Sequence, residues 1–240
     1  MPSLRDLGNA ALYRLQRILV RLQLLLQLDL GLVKQYQPNP FSSTQPEGQS
    51  ARSCIDRFNS FSALLPSDEP LCTLDIGCNL GYFTFRMSER GGMCIGLDLG
   101  RNEISVARAL AARHRVPNVA FCQYEVTADS AAALPAVDVV ICLSVFHHWV
   151  RKFGFSEARR VMEVVAARAT RYLVFETGQH DETGVAWADD LAFMGGDCDA
   201  WIQMFLKDLG FRRVHHVGRF PTSVSPVARH LYVAMRDSAG

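Results

Sequence analysis

The chain has no C-x-x-C pair, although it holds seven cysteines at positions 54, 72, 78, 94, 122, 142 and 198. Zinc fingers and ribbons need paired ligands at short spacing, and an odd, scattered count does not build a disulfide framework. Several of these cysteines sit inside apolar runs as small hydrophobes, so the expected setting is reducing and cytoplasmic. Net charge is nearly absent too: 25 Lys and Arg face 24 Asp and Glu, a formal +1 that gives no global attraction to nucleic acid. No apolar run reaches the ~20 residues that a bilayer crossing requires. No small-residue cleavage site follows the N-terminal leucines, and we find no repeat or low-complexity tract. What remains is a globular chain of 240 residues, 49% hydrophobic and 20% charged, long enough for one large core plus an appendage.

The most informative segment is Leu74-Asp75-Ile76-Gly77-Cys78-Asn79-Leu80-Gly81, followed by Gly96-Leu97-Asp98. It reads as a buried strand, a tight glycine turn opening a helix, and a second strand ending in a carboxylate. Gly77 can adopt backbone angles closed to other residues, and Gly81 lets the helix lie close to the strand. Asp98 follows Gly77 by 21 residues, about the spacing at which an acid meets a ribose in a Rossmann-type unit. Asp75 places a carboxylate at the turn, which disfavours a pyrophosphate there. A positively charged adenosine cofactor suits the loop better than NAD.

The pattern D-x-G-C-x-x-G followed by G-x-D resembles the class I S-adenosylmethionine-dependent methyltransferases, over about Leu71 to Arg236. The resemblance implies an α/β fold: a Rossmann-like, doubly wound, seven-stranded sheet whose last strand inserts antiparallel through a hairpin. It implies S-adenosyl-L-methionine as cofactor, with Gly77, Cys78 and Gly81 bordering its methionine part. Asp75 is then near the ammonium, and Asp98 with Leu99 is at the ribose. Leu143-Ser144-Val145-Phe146-His147-His148, Phe175-Glu176-Thr177-Gly178 and Asp56-Arg57-Phe58-Asn59 look like the methyltransferase domains that cap bacterial O-antigen glycans. That likeness covers only the methyl-transfer half of such proteins. A more distant likeness is to enzymes that modify a tRNA wobble uridine. In such relatives an upstream arginine pairs with the cofactor carboxylate, which nominates Arg57 or Arg52; the alternative is a surface arginine.

Strands and helices alternate from Cys72 onward, as in a parallel sheet covered on both faces. Strands are expected at 72–76, 93–98, 119–125, 137–144, 172–176, 214–217 and 230–235. Helices are expected at 52–65, 82–90, 104–114, 157–170 and 200–209. The domain division is 1–36 for a helical extension, 37–66 for a linker and cofactor-covering helix, and 67–240 for the main domain.

In the extension, Leu4, Leu7, Ala11, Leu15, Ile18, Leu22 and Leu25 recur at helical spacing. Five basic residues face two acidic ones between Leu4 and Lys34. Such a basic amphipathic helix can lie on the anionic inner face of a membrane. The alternative is a leucine stripe packed on the main domain or on a second subunit, giving a homodimer.

Glu125, ending the third strand, is placed to accept from the adenine amine, with Val126 against the ring and Asp129 as competitor. A solvated turn acid is the alternative. By the Rossmann rule, Leu143 through Trp149 line the site beyond the fourth strand. His148, or else His147, is the natural proton acceptor from a hydroxyl; the other reading is a structural pair hydrogen-bonded to backbone. In-line placement supplies much of the rate of methyl transfer, so an obvious base is not required.

From Glu176 to Asp199 there are seven acids and no Lys or Arg, while Arg151 to Arg171 carries six basic residues against two acidic ones. The acidic stretch disfavours a polyanion and suits a neutral or cationic polyhydroxyl acceptor or a divalent metal, unless it is merely solvated. The basic stripe would hold phosphates or solvate a helix. Trp187 and Trp201 either stack on a sugar or pack between helices. The expected activity is O-methylation of a glycan, glycolipid or small-molecule acceptor. The alternatives are an RNA methyltransferase and a non-catalytic scaffold retaining the fold.

Overall fold

The computed structural model describes residues 37–41 and 49–237. The expected helix over 4–34 lies outside the described residues. The described elements run α1 (Gln49–Ser62), β1 (Thr73–Ile76), α2 (Tyr82–Ser88), β2 (Cys94–Asp98), α3 (Arg101–His114), β3 (Val119–Gln123) and α4 (Ala128–Ala132). They continue through β4 (Val137–Leu143), α5 (Phe146–Phe153), α6 (Phe155–Ala166), β5 (Ala169–Glu176), a 3-10 turn (Asp189–Met194), α7 (Cys198–Asp208), β6 (Arg213–Phe220) and β7 (Arg229–Met235).

The strands form one seven-stranded sheet in the order β3-β2-β1-β4-β5-β7-β6. All neighbours are parallel except β7, which runs antiparallel between β5 and β6. Val139, Val140, Ile141 and Cys142 of β4 are fully buried. A continuous apolar run is what a central parallel strand with both faces covered requires. Burying each large aliphatic side chain contributes about 1.5–3 kcal/mol. Leu74, Ile76, Val140 and Cys142 pack toward α4 to α7, whereas Val139, Ile141, Val174 and Val233 pack toward α1 and α2.

Chain order reverses between β1 and β4, and in open α/β sheets ligands bind beyond the strand ends at that reversal. Two short helices, α4 and α5, fall where none is expected from the sequence. α4 is one short helix, held by a capping box between Thr127 and Ser130. α5 is eight residues containing two histidines, with no side-chain cap at Val145. The helix expected over 157–170 instead ends at Ala166, because Ala169 pairs with Val137 and Leu173 with Val140. Sheet pairing overrides the helix-forming residues there. Among the described residues no helix is long and apolar enough to cross a membrane.

Candidate active site

A cavity of about 470 Å³ opens at the carboxyl ends of β1, β2 and β4. Gly77 turns there with φ 73°, and a Cβ would collide with the Val145 side chain, so the turn tolerates no larger residue. Gly81 begins α2 with φ 85°, and a Cβ there would press on Phe121 of β3.

Asp98 organises this end. Its Oδ2 accepts from the Asn79 amide at 2.8 Å and its Oδ1 from the Gly100 amide at 2.7 Å. The carboxylate thus ties the glycine turn to the β2–α3 loop and still lines the cavity. Asn79, with φ 53°, adds to the cavity wall a buried Oδ1 that has no hydrogen-bond partner among the described residues. Leu99, Tyr124, Glu125 and Val126 complete this end. Glu125 is ion-paired with Lys152, so that pair must loosen for the carboxylate to accept from another group. Asp129 is paired with Arg160 instead and does not line the cavity.

Four further nominated residues do not line the cavity: Gly81, at the start of α2, and Asp75, Cys78 and Arg57. Asp75 is buried and accepts from the Thr84 hydroxyl at 2.6 Å; burial pushes its carboxyl up to about 7, with the charge of Asp98 adding to the rise. The Cys78 thiol is buried, with its pKa raised first by burial and then by Asp75 and Asp98. Arg57 of α1 is buried, its Nε donating to Glu176 Oε2 at 2.6 Å and its guanidinium also bonding Ser53 and the Pro221 carbonyl. No described α1 side chain lines the cavity.

The other end of the cavity is built around two buried ion pairs. Leu143 ends β4, and Ser144 follows with φ 59°. The Ser144 hydroxyl donates to Glu176 Oε1 at 2.7 Å and accepts from Arg229 Nη1 at 3.0 Å. Arg229 in turn donates through Nε and Nη2 to both oxygens of Glu182, at 2.7 and 2.9 Å. Arg229, His147, His148 and Trp187 line this end.

His147 is buried, and its Nδ1 accepts from the Gly178 amide at 2.9 Å. Burial, His148 and Arg229 hold its pKa well below the ordinary value. The ring is therefore neutral with its proton on Nε2, and neither nitrogen offers a free lone pair. His148 is the exposed neighbour; partial burial, Arg229 and Arg151 lower its pKa, its amide donates to the Val145 carbonyl at 2.9 Å, and its ring nitrogens have no hydrogen-bond partner among the described residues.

Arg229 escaped the sequence reading because it stands just ahead of the apolar run of β7. Glu182 looked like one solvated acid among seven. Much of the acidic stretch is in fact spent internally: Glu176 and Glu182 on buried arginines, Asp197 capping α7, and Asp199 on Tyr232. Trp187 is in the cavity wall, 4.6 Å from the His147 ring, whereas Trp201 packs among Phe146, Phe155, Phe193 and Phe205. The basic stripe is also partnered. Arg151 pairs with Asp190, Lys152 with Glu125, Arg159 with Glu163, Arg160 with Asp129 and Arg171 with Glu69, and Arg168 donates to backbone carbonyls.

A β3-β2-β1-β4-β5-β7-β6 sheet with a glycine turn, a β2 acid and a cavity at the reversal point defines the Rossmann-like methyltransferase class. Residues 74–171 match the family described as a methyltransferase domain. Over 207 residues the chain is 30% identical to the O-antigen chain terminator bifunctional methyltransferase/kinase WbdD of Escherichia coli, covering 80% of this chain and 27% of that protein. It is 36% identical over 75 residues to a ubiquinone biosynthesis O-methyltransferase of Serratia proteamaculans, 31% of each chain. A 2.2 Å crystal structure of WbdD superposes with a TM-score of 0.67 and 26% identity, covering 87% of this chain and 46% of that one. Magnesium protoporphyrin IX methyltransferase from Synechocystis with bound S-adenosylmethionine shares the fold, with a TM-score of 0.60 at 20% identity, covering 83% and 88%. Residues 74–171 thus match a methyltransferase domain, and the chain is similar to methyltransferases, one of them with bound S-adenosylmethionine. The chain spans about a quarter of the length of the curated relative WbdD, at 27%.

Proposed function

We propose that the protein transfers a methyl group from S-adenosylmethionine to a hydroxyl oxygen of a glycan, glycolipid or small molecule. The observation that carries this reading is one cavity with two chemically different ends, an acidic nucleoside-type end at Asp98 and a His148–Trp187–Arg229 end past Leu143. The residues fit the cofactor. Gly77 leaves backbone free of side-chain bulk, Asn79 Oδ1 is a buried acceptor in need of a donor, and Asp98 presents a fixed carboxylate.

When bound, S-adenosylmethionine supplies an electrophilic methyl and departs as a neutral thioether. The chain does the rest. Asp98 would hold the ribose hydroxyls, and Val126 and Glu125 would hold the adenine. Asp75, Gly77, Cys78 and Gly81 shape the turn beside the methionine part. Arg57 acts one layer back, fixing Glu176 under Ser144. His148 takes the acceptor's hydroxyl proton on an imidazole nitrogen as the new carbon–oxygen bond forms. The likeness to the ubiquinone biosynthesis O-methyltransferase supports an oxygen acceptor. The internal pairing of the Arg151–Arg171 cations favours a non-RNA acceptor, since few of those charges remain to replace phosphate counterions.

The test is calorimetric titration with S-adenosylmethionine, with NAD as control, followed by transfer of labelled methyl to hydroxyl-bearing glycans and lipids. Binding of the methyl donor but not NAD, with label released by ether-type rather than amine-type chemistry, is the expected result. No binding of either would leave the scaffold reading.

A further inference from the structure

Away from the cavity, on the sheet face covered by α7, three side chains from three elements converge. Asp199 lies in the first turn of α7, His216 on β6 and His230 at the start of β7. One ligating atom from each lies within 4.8 Å of the others. None of the three lines the cavity.

The sheet register explains the convergence. His216 stands opposite Tyr232, and His230 precedes Tyr232 by two residues, so all three share one face of the hairpin. The irregularity between His216 and Gly218 lies beside this pair. His230 Nδ1 and His216 Nε2 are 2.9 Å apart. The third group is oriented from behind. Asp199 Oδ1 accepts from the Tyr232 hydroxyl and from Gln203 Nε2, and Oδ2 carries no hydrogen bond among the described residues.

We propose that Asp199, His216 and His230 form a binding site for a divalent transition-metal ion of the zinc type, fastening α7 to the β6–β7 hairpin. Two imidazoles and a carboxylate are ligands suited to zinc and its neighbours, and three protein ligands leave a fourth position for water. The exposed side of His216 gives the ion access. Support of the carboxylate by Tyr232 and Gln203 is the outer-sphere arrangement that holds metal ligands in place. Without metal, one ring donates its N–H to the other. Binding needs both of those nitrogens as lone-pair donors, so one histidine moves its proton to its other nitrogen and the two nitrogens part by a few tenths of an ångström, making room for an ion ~2.0–2.1 Å from each. No bond is made or broken in a substrate, and no net proton is required.

The test uses the whole chain without a histidine tag, stripped with chelator and dialysed against zinc. One zinc per chain and a raised melting temperature are expected. His216→Ala, at an exposed position, should weaken zinc binding at least tenfold and abolish the thermal shift while leaving the metal-free melting temperature close to wild type. Asp199→Asn keeps the side-chain shape and should weaken zinc in the same direction. Cobalt in place of zinc should give ligand-field bands without thiolate charge transfer, distinguishing this site from the exposed Cys72 and Cys122. Zinc binding that is absent, unchanged in both variants, or thiolate-marked with cobalt would overturn the proposal.

Discussion

Ser144 donates its hydroxyl to Glu176 Oε1 at 2.7 Å while its own amide donates to the Glu176 carbonyl at 2.8 Å. That double attachment holds a non-glycine residue at φ 59°, a conformation that costs on the order of 1–3 kcal/mol. The turn after β4 is thereby fixed by β5, and Arg229 of β7 closes the arrangement from the other side. The wall of the cavity is over-determined by buried charge rather than by apolar packing alone.

Glu176→Gln should be strongly destabilising, because it leaves Arg57 buried against a neutral amide. Breaking one partner of a buried pair costs about 3–5 kcal/mol. Denaturant unfolding should show that loss with little change in slope; a loss below about 1 kcal/mol would mean that water reaches the pair.

Asp98→Asn should weaken S-adenosylmethionine binding by at least tenfold. An amide offers one oxygen where two backbone N–H groups, from Asn79 and Gly100, now donate to a carboxylate. Hydrogen bonds to charged groups are worth about 1.5–3 kcal/mol each. Calorimetry reads the effect, and unchanged affinity would reject the ribose role.

The two histidines should separate kinetically. His148→Ala should lower turnover by about 10²–10⁴-fold, the usual contribution of a positioned base, with cofactor affinity nearly constant. His147→Ala should instead lower stability by about 1–3 kcal/mol, since the buried Gly178 amide loses its acceptor. Wild-type turnover in His148→Ala would remove the base assignment.

Asp75 predicts a proton linkage. Its pKa is raised to about 7 in the fold, so the stability it gives in protonated form is full below the ordinary carboxylate range and lost as pH rises through 7. Relative to Asp75→Asn, the wild type should therefore lose stability between pH 4 and 7 and run parallel above that. A cofactor ammonium nearby would stabilise the ionised form, so cofactor binding at pH 7 should release protons. Calorimetry in two buffers of different ionisation heat measures this, and equal heats would place Asp75 out of reach of the ammonium.

The leucine stripe of residues 4–34 calls for truncation. Deleting the residues before Gln35 should lower the melting temperature or the oligomer size, whereas flotation of the full chain with anionic liposomes that the deletion abolishes would assign the stripe to a membrane surface. Loss of a dimer without any flotation in the full chain would assign the stripe to self-association.

Local chemistry made much of this protein legible. The glycine turn, Asp98 and the apolar run of β4 are contiguous signals whose meaning depends on near neighbours, and they specified the sheet, the turn and the cofactor class. Boundaries blurred where pairing across the sheet decided, as at Ala166 to Ala169. Short α5 went unread although Phe146, Trp149, Val150 and Phe153 recur at helical spacing, because it is only eight residues long, has no side-chain cap and follows β4 directly. Trp187 and Trp201 looked equivalent in sequence, and only packing put one in the cavity and the other in the core.

By itself the sequence determined the fold class, the glycine turn and the carboxylate that ends β2, because those rest on backbone geometry that a few fixed residue types enforce. The tertiary structure alone decided which charges meet. Arg57 with Glu176, Arg229 with Glu182, and Asp199 with His216 and His230 are separated by many residues in the chain, and no local propensity encodes such distant pairs. Arg229 meets Glu182, and His230 meets Asp199 and His216, only when β7 inserts between β5 and β6, whereas Arg57 reaches Glu176 from α1, which packs on β6 and β7.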